Sequence, residues 1–408
     1  MKRVVITGIG VVCPLGDEKE QIVQAMKEKK CAIKEIKSFD HTPHLVKLAA
    51  EVDEFNSDEY IDKKAAKRMD RCAQMAIVAA KKALKDSGLD AQTDLFLNNT
   101  RVGVSLATGI GGLSTIETEH YRGIKRGFDK VSPFFIPMAI ANMPSALVAI
   151  ELGVHGSNQC VVTACASSTN AIGESFRKIK DGYMDIMFTG GCEASITEFG
   201  IGGFTSMTAL TTSQDPDRAS VPFDKERSGF VMGEGAGVLV LEERESALKR
   251  GANIYAEIIG YGESCDAFHI SAPNEDGFFA QLAMKNALEE ANITPDQVDY
   301  INAHGTSTPL NDKIESKAIC NIFGNCPVSS TKSQIGHLLG ASGAVDSILS
   351  IYAMNEGFYP VTINHKVHDE EIKANVITEL KDADINCFVK SSLGFGGHNA
   401  ILIFKKHI

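Results

Sequence analysis

Residues 160–182 read CVVTACASSTNAIGESFRKIKDG. The apolar CVVT run gives way to small residues and then to an amphipathic stretch closed by Gly182, so the segment predicts strand, tight turn, helix. Residues 326–357, CPVSSTKSQIGHLLGASGAVDSILSIYAMNEG, repeat that order with GHLLGAS at the turn. A second pair behaves alike. GFVMGEGAGVLVLEE (229–243) and SSLGFGGHNAILIFKK (391–406) each run from a glycine-rich turn into a closing strand. Two similar halves, 1–255 and 256–408, explain both pairs, and active sites favour such junctions. Elsewhere strand-like runs (RVGVSLATG, DIMFTGGCEAS, GVLVLEER) alternate with helical ones such as RCAQMAIVAAKKALKDSGL, which predicts an α/β chain. Residues from about 195 to 229 show neither period and predict loops and short turns.

The 408 residues are enough for two or three domains, or for one large duplicated one. A net charge of −11 argues against general binding to nucleic acid or anionic membranes. No apolar run reaches the 18 or so residues of a membrane span. The start, MKRVVITGIG, is basic like a signal peptide, but Gly8 and Gly10 interrupt the apolar run, and a cytosolic location is expected. The ten cysteines are scattered with no C-x-x-C pair, and CNIFGNC is too wide for a zinc pair. Neither a disulfide framework nor a metal site is expected.

Most cysteines pack as small hydrophobes, and Cys160, inside the predicted strand, reads that way. Cys165 differs. It lies at the start of a predicted helix, where unpaired N–H groups and the positive dipole end favour thiolate. Its small neighbours leave room for a substrate. A reactive cysteine needs a base or charge partner. His304 (YINAHGTSTPLND) and His337 (SSTKSQIGHLLGASG) both sit beside glycine at strand ends, and Lys332 precedes His337 by five residues. The LGFGGHNA turn could bring backbone N–H groups to an oxyanion. TGIGVVCPLG lacks G-x-G-x-x-G spacing and no G-K-[ST] occurs, so no nucleotide loop is expected. Lys63, Lys64, Lys67, Arg68 and Arg71 recur at helical offsets on one predicted face, and Lys125 and Arg126 add charge elsewhere. In an acidic chain that face suits an acidic partner, the other reading being a solvated helix surface.

Six segments resemble the β-ketoacyl-acyl-carrier-protein synthases of the elongating type, with the thiolase-like fold: VVITGIGVVCPLG, VVTACASSTNAIGES, TALTTSQDPDRASVPFDKERSGFVMGEGAGVLVLEE, NAHGTSTPLND, TKSQIGHLLGASG and GFGGHNA. They fall in the family's order along essentially the whole chain. The resemblance implies a five-layered αβαβα fold duplicated about a pseudo-twofold, a homodimer, and acyl carrier protein as partner, with no cofactor. It implies that Cys165 carries the acyl chain, that His304 and His337 bind the malonyl thioester and assist decarboxylation, and that Lys332 sets the electrostatics of the pair. Asp312 and Glu315 would orient the histidines. Phe395 would gate the site and share an oxyanion hole with the N–H of Cys165. Ile110 would lie at the acyl pocket across the dimer, and the basic residues would meet the carrier protein. The chain departs from the family at Leu393 (commonly Phe), His398 (commonly Thr) and Thr208 (often Arg). Alternative readings are a polyketide-type ketosynthase, a coenzyme-A thiolase, which needs a second catalytic cysteine near the carboxyl terminus, and a non-catalytic acyl-carrier scaffold.

Overall fold

The computed structural model describes residues 2–91 and 99–407. Thirteen strands are present among them: β1 (Val4–Val12), β2 (Lys34–Glu35), β3 (Leu48–Ala49), β4 (Val102–Ala107), β5 (Asn158–Gln159), β6 (Ile186–Glu193), β7 (Gly235–Glu243), β8 (Ala256–Cys265), β9 (Tyr300–Asn302), β10 (Pro327–Ser329), β11 (Asn375–Val376), β12 (Cys387–Gly394) and β13 (His398–Lys405). Eleven form one sheet in the order β11-β10-β9-β12-β13-β8-β1-β7-β6-β4-β5, and β2 pairs with β3 alone.

Apart from the extra edge strand β11, that order is palindromic about the antiparallel contact of β8 with β1, where Val4 faces Ile258. Outward on one side, β1 meets β7 antiparallel, β7 meets β6 antiparallel, and β6-β4-β5 run parallel. On the other side β8, β13, β12, β9 and β10 repeat every direction. The chain is therefore duplicated about a pseudo-twofold.

Five layers result. The inner helices Ser167–Lys180 and Ser342–Glu356 pack on strands of both halves, while Arg71–Asp86 covers β1 and β7 from outside and Phe278–Ala291 covers β8 and β13. Strands covered on both faces are apolar throughout, and all nine residues of β1 are buried.

The glycines of TGIG serve this packing rather than a turn. A Cβ on Gly10 would lie 1.9 Å from the Ala79 carbonyl oxygen, and one on Gly8 2.4 Å from that of Ala83. The second half repeats the device, with Gly262 at 2.1 Å from Ala283 O and Gly260 at 2.3 Å from Ala287 O. Only glycine lets an outer helix lie this close to a central strand.

The two inner helices begin alike. Ala164–Ala166 forms a 3-10 turn entered through Ala164 at φ 51°, and Leu339–Ala341 forms another entered through Leu339 at φ 47°. The two turns pack together, which puts Gly340 where its twin has Cys165.

Two sequence expectations fail here. The segment read as loops contains the helix Glu198–Ser206, capped by Thr197 Oγ1, which accepts the Gly200 N–H at 3.0 Å. Its three glycines hid the helical period. The basic face is not one helix either. Asp62 caps a single turn, Lys63–Ala66, and Asp70 caps a new helix from Arg71, so the two caps break the period.

Candidate active site

Cys165 closes the short turn that leads from β5 into an inner helix. His304 follows β9 and His337 follows the helix Lys332–Ile335. The pseudo-twofold brings these strand ends together. Cys165 Sγ and one ring nitrogen from each histidine lie within 4.8 Å of one another, and all three residues are buried. They line a cavity of about 410 Å³ together with Phe204, Phe230 and Phe395. Thr208 and Leu393 line it too, whereas His398 stands beside the Gly396 backbone.

The imidazoles are set for donation. Ser342 Oγ accepts the Leu338 N–H at 2.9 Å and lies 2.8 Å from His337 Nδ1. In the tautomer in which this hydroxyl donates to Nδ1, the ring proton stands on Nε2. Nε2 of His337 and Nδ1 of His304 are buried with no protein partner. A buried polar group without a partner costs stability, and such groups beside a cavity mark where a ligand completes the bonding. The rings sit edge to face at 5.2 Å, and Phe230 packs edge-on against His337. Burial, and then the Lys332 ammonium, hold both imidazoles well below their usual range, so both are uncharged.

The thiol departs from the sequence argument. Burial pushes Cys165 up to about 12; Lys332 and the N–H groups of Phe395 and Cys165 pull it down, and Glu193 adds to the rise. The expected thiolate is therefore a thiol at rest, because desolvation outweighs the helix terminus. Its proton must pass to a neighbouring imidazole for attack. The same two N–H groups stand beside Sγ, within reach of the carbonyl oxygen of a thioester that Sγ attacks. Gly394 makes this approach possible: a Cβ there would lie 2.7 Å from Thr163 O and 3.4 Å from Cys165 N.

Two carboxylates fix the His304 loop. Glu315 accepts the N–H of His304 at 2.7 Å and of Gly305 at 2.8 Å. Asp312 accepts those of Thr306 and Ser307 at 3.0 and 3.1 Å, and burial raises it to about 6. Both belong to the helix Pro309–Phe323.

Other expected residues lie apart. Ile110 is outside the cavity lining, 36% exposed. Lys63, Lys64, Lys67, Arg68, Lys125 and Arg126 are exposed. Arg71 turns inward to Glu234 at 2.7 Å, away from the basic group it was read with.

Three buried charged residues beside the site, Asp346, Lys390 and Glu193, escaped the sequence reading. Lys332 Nζ lies 2.7 Å from Asp346 Oδ2, and Lys390 Nζ lies 2.8 Å from the same oxygen. Glu193, fully buried, accepts N–H bonds from Gly109 at 2.7 Å and Gly340 at 3.1 Å. A charged residue inside an apolar run, as in GAVDSIL or CFVKSSL, was the available signal.

A thiol, two uncharged imidazoles and paired N–H donors in one cavity define an acyl-transferring condensing enzyme. Residues 1–247 match the family model of the β-ketoacyl synthase N-terminal domain and residues 255–366 that of its C-terminal domain. The chain belongs to the β-ketoacyl synthase family. It is 47% identical over 410 residues to 3-oxoacyl-[acyl-carrier-protein] synthase 2 of Staphylococcus aureus (strain COL), covering 99% of this chain and 98% of that protein. A β-ketoacyl synthase from Burkholderia phymatum STM815 superposes with a TM-score of 0.94 at 32% identity, covering all of both chains. A type II polyketide-synthase acyl-carrier protein in complex with its ketosynthase matches with a TM-score of 0.91 at 29% identity, again over all of both chains.

Proposed function

We propose that the chain condenses an acyl-acyl-carrier protein with malonyl-acyl-carrier protein. The products are 3-oxoacyl-acyl-carrier protein, carbon dioxide and free carrier protein, as in fatty-acid elongation. The carrying observation is the convergence of the Cys165 thiol with two uncharged imidazoles, each with one ring nitrogen that has no protein partner. Cys165 gives its proton to an imidazole and attacks the acyl thioester, while the N–H groups of Cys165 and Phe395 take the charge on the carbonyl oxygen. The carrier thiolate leaves and takes that proton. Malonyl thioester then binds with its carbonyl oxygen against His304 and His337. Its carboxylate leaves as carbon dioxide, and the bonding electrons form an enolate held by the two N–H donors. The enolate carbon attacks the acyl-Cys165 carbonyl, and the Cys165 thiolate departs and takes up a proton from solvent, the one proton the overall reaction consumes. Lys332 acts on the histidines through charge, Asp312 and Glu315 through the loop backbone.

The carrier protein would meet the exposed Lys63, Lys64, Lys67, Arg68, Lys125 and Arg126, with Arg68 stacked on Phe134 at 4.6 Å. We also read the chain as a homodimer. The helices Leu113–Arg126, Phe135–Ala139 and Met143–Leu152 expose Ile124, Ile136 and Ile150, each at least 59% accessible, beside the unpaired edge of β5. Such a surface is unusual for a monomer, and a second copy there would cover Ile110 and complete an acyl pocket. No helix among the described residues is long and apolar enough to cross a membrane. A cytoplasmic setting fits the ten free thiols.

Carbon dioxide release from malonyl-carrier protein, followed beside mass-spectrometric acylation of the enzyme, tests the division of labour. Cys165→Ala should abolish condensation and retain decarboxylation. His304→Ala and His337→Ala should each lower decarboxylation about a hundredfold, the usual cost of one oxyanion donor. Normal decarboxylation in both histidine variants would overturn the assignment.

A further inference from the structure

Behind the histidines lies a buried charge cluster in which Lys332 and Lys390 share Asp346, with Glu315 beside them. Asp346 contributes the shared carboxylate, from the inner helix Ser342–Glu356. Its Oδ2 holds both Lys332 and Lys390, and its Oδ1 accepts the Thr331 hydroxyl at 2.6 Å. Lys390 is fully buried in β12. Its ammonium uses its three protons on Asp346, on Asn302 Oδ1 at 2.9 Å and on the Ala303 carbonyl at 3.3 Å. Ala303 is the residue before His304, so Lys390 also ties down the backbone that carries the imidazole. An ion pair on one carboxylate would be neutral. The second ammonium adds a further positive charge, buried from solvent and within reach of both histidines.

We propose that Lys390 is a positioning residue for the decarboxylation step: it ties down the backbone that carries His304 and adds a buried positive charge behind the two histidines, which stabilises the enolate forming against them. This rests on the reading of the two histidines as the donors of that step. The charged groups around Lys390 are Asp346, Lys332 and, across β9, Glu315; His304 and His337 complete the set. Burial brings Lys390 down to about 8, with Lys332 acting in the same sense and Asp346 and Glu315 opposing. Lys390 and Lys332 each push both histidines away from protonation.

The sign follows. Above about 8 the Lys390 proton is lost, and the cluster loses one positive charge. Malonyl decarboxylation by the full chain, followed from pH 5 to 10, should therefore decline through that value in the wild type. Lys390→Arg keeps its charge at every pH of the series and should lose the alkaline decline. Lys390→Met should run about tenfold slower at pH 7, with its acid limb, where the histidines protonate, moved up by about one unit. Acylation of Cys165, measured on the same samples, reports whether the site is still assembled. A Lys390→Met profile that coincides with the wild type overturns the proposal. So does an alkaline decline that survives in Lys390→Arg, which decides the matter alone if the methionine variant does not fold. Normal decarboxylation by His304→Ala and His337→Ala would instead overturn the histidine reading beneath it. Impaired histidine variants beside an unshifted Lys390→Met would remove Lys390 alone.

Discussion

Glu315 holds the backbone N–H of His304 at 2.7 Å with one carboxylate oxygen while the other takes the N–H of Gly305 at 2.8 Å. A single side chain thus sets where the imidazole stands without touching it. Glu315→Gln replaces one acceptor by an NH2 group facing an N–H. One lost buried hydrogen bond of this kind costs about 1–3 kcal/mol, so decarboxylation should fall about tenfold to a hundredfold. Acylation of Cys165 should change little, and carbon dioxide release read beside mass-spectrometric acylation checks the split. Equal losses in both steps would mean that Glu315 supports the fold as a whole.

Cys265 supplies an internal control for the reactivity of Cys165, being the one exposed thiol of the ten. Alkylation of Cys265 should be indifferent to the histidines. Alkylation of Cys165, whose thiol needs a proton acceptor, should slow at least tenfold in His304→Ala or His337→Ala if that histidine takes the proton. Peptide mapping after timed exposure to a small electrophile gives both rates at once. Unchanged Cys165 rates in both variants would show that the helix terminus ionises the thiol unaided.

Gly394→Ala should damage acylation first. The new methyl group meets Thr163 O at 2.7 Å and Ala166 N at 3.2 Å, so the turn that carries Cys165 must shift. Overpacking of this kind costs about 1–3 kcal/mol, visible as a lower denaturation midpoint. Wild-type acylation rates would show that the turn yields without moving the thiol.

Charge reversal at Lys64 or Arg68 should slow association with the carrier protein, and added salt should shrink the difference, because rim charges act mainly on encounter. Arg71→Glu belongs to a different class. It breaks the contact with Glu234 and should lower stability as well as any binding. Stopped-flow association across a salt series separates the two. Salt-independent rates would leave the basic residues as a solvated surface.

Asp224 gives a pH signature of the fold. Its burial works against ionisation, yet the Arg218 guanidinium and the N–H groups of Val367, Glu226 and Lys366 overcome it and hold the carboxyl at about 2, below its ordinary 3.8. Its contribution is therefore full above the ordinary value and fades as pH falls through about 2. Melting temperatures of the wild type and Asp224→Asn should differ by a constant amount above pH 5 and converge towards pH 2. A gap that persists to pH 2 would show that the pair contributes through packing.

The strand-turn-helix repeat was legible because its signals are local: apolar runs of strand length, small residues, glycine stops. The same holds for Cys165, His304 and His337, each beside residues that open a backbone to a cleft. What stayed hidden depends on partners distant in sequence. Nothing local says that Lys390 would meet Asp346 or that Glu193 would accept the N–H of Gly340. The basic face was misread because a spacing match ignores caps, and Asp62 and Asp70 each end the register. The thiolate was misjudged because burial is a property of the assembled core and appears nowhere in the turn itself.

The twin turns are not interchangeable. One copy carries a thiol, and the other carries glycine at that position and gives its N–H to Glu193. A thiol cannot stand in both, since a Cβ on Gly340 would fall 2.0 Å from the Gly109 nitrogen. The result is a division of labour within one chain: one turn offers the thiol, the other its backbone N–H, and a single substitution at Gly340 cannot give the second turn a nucleophile of its own.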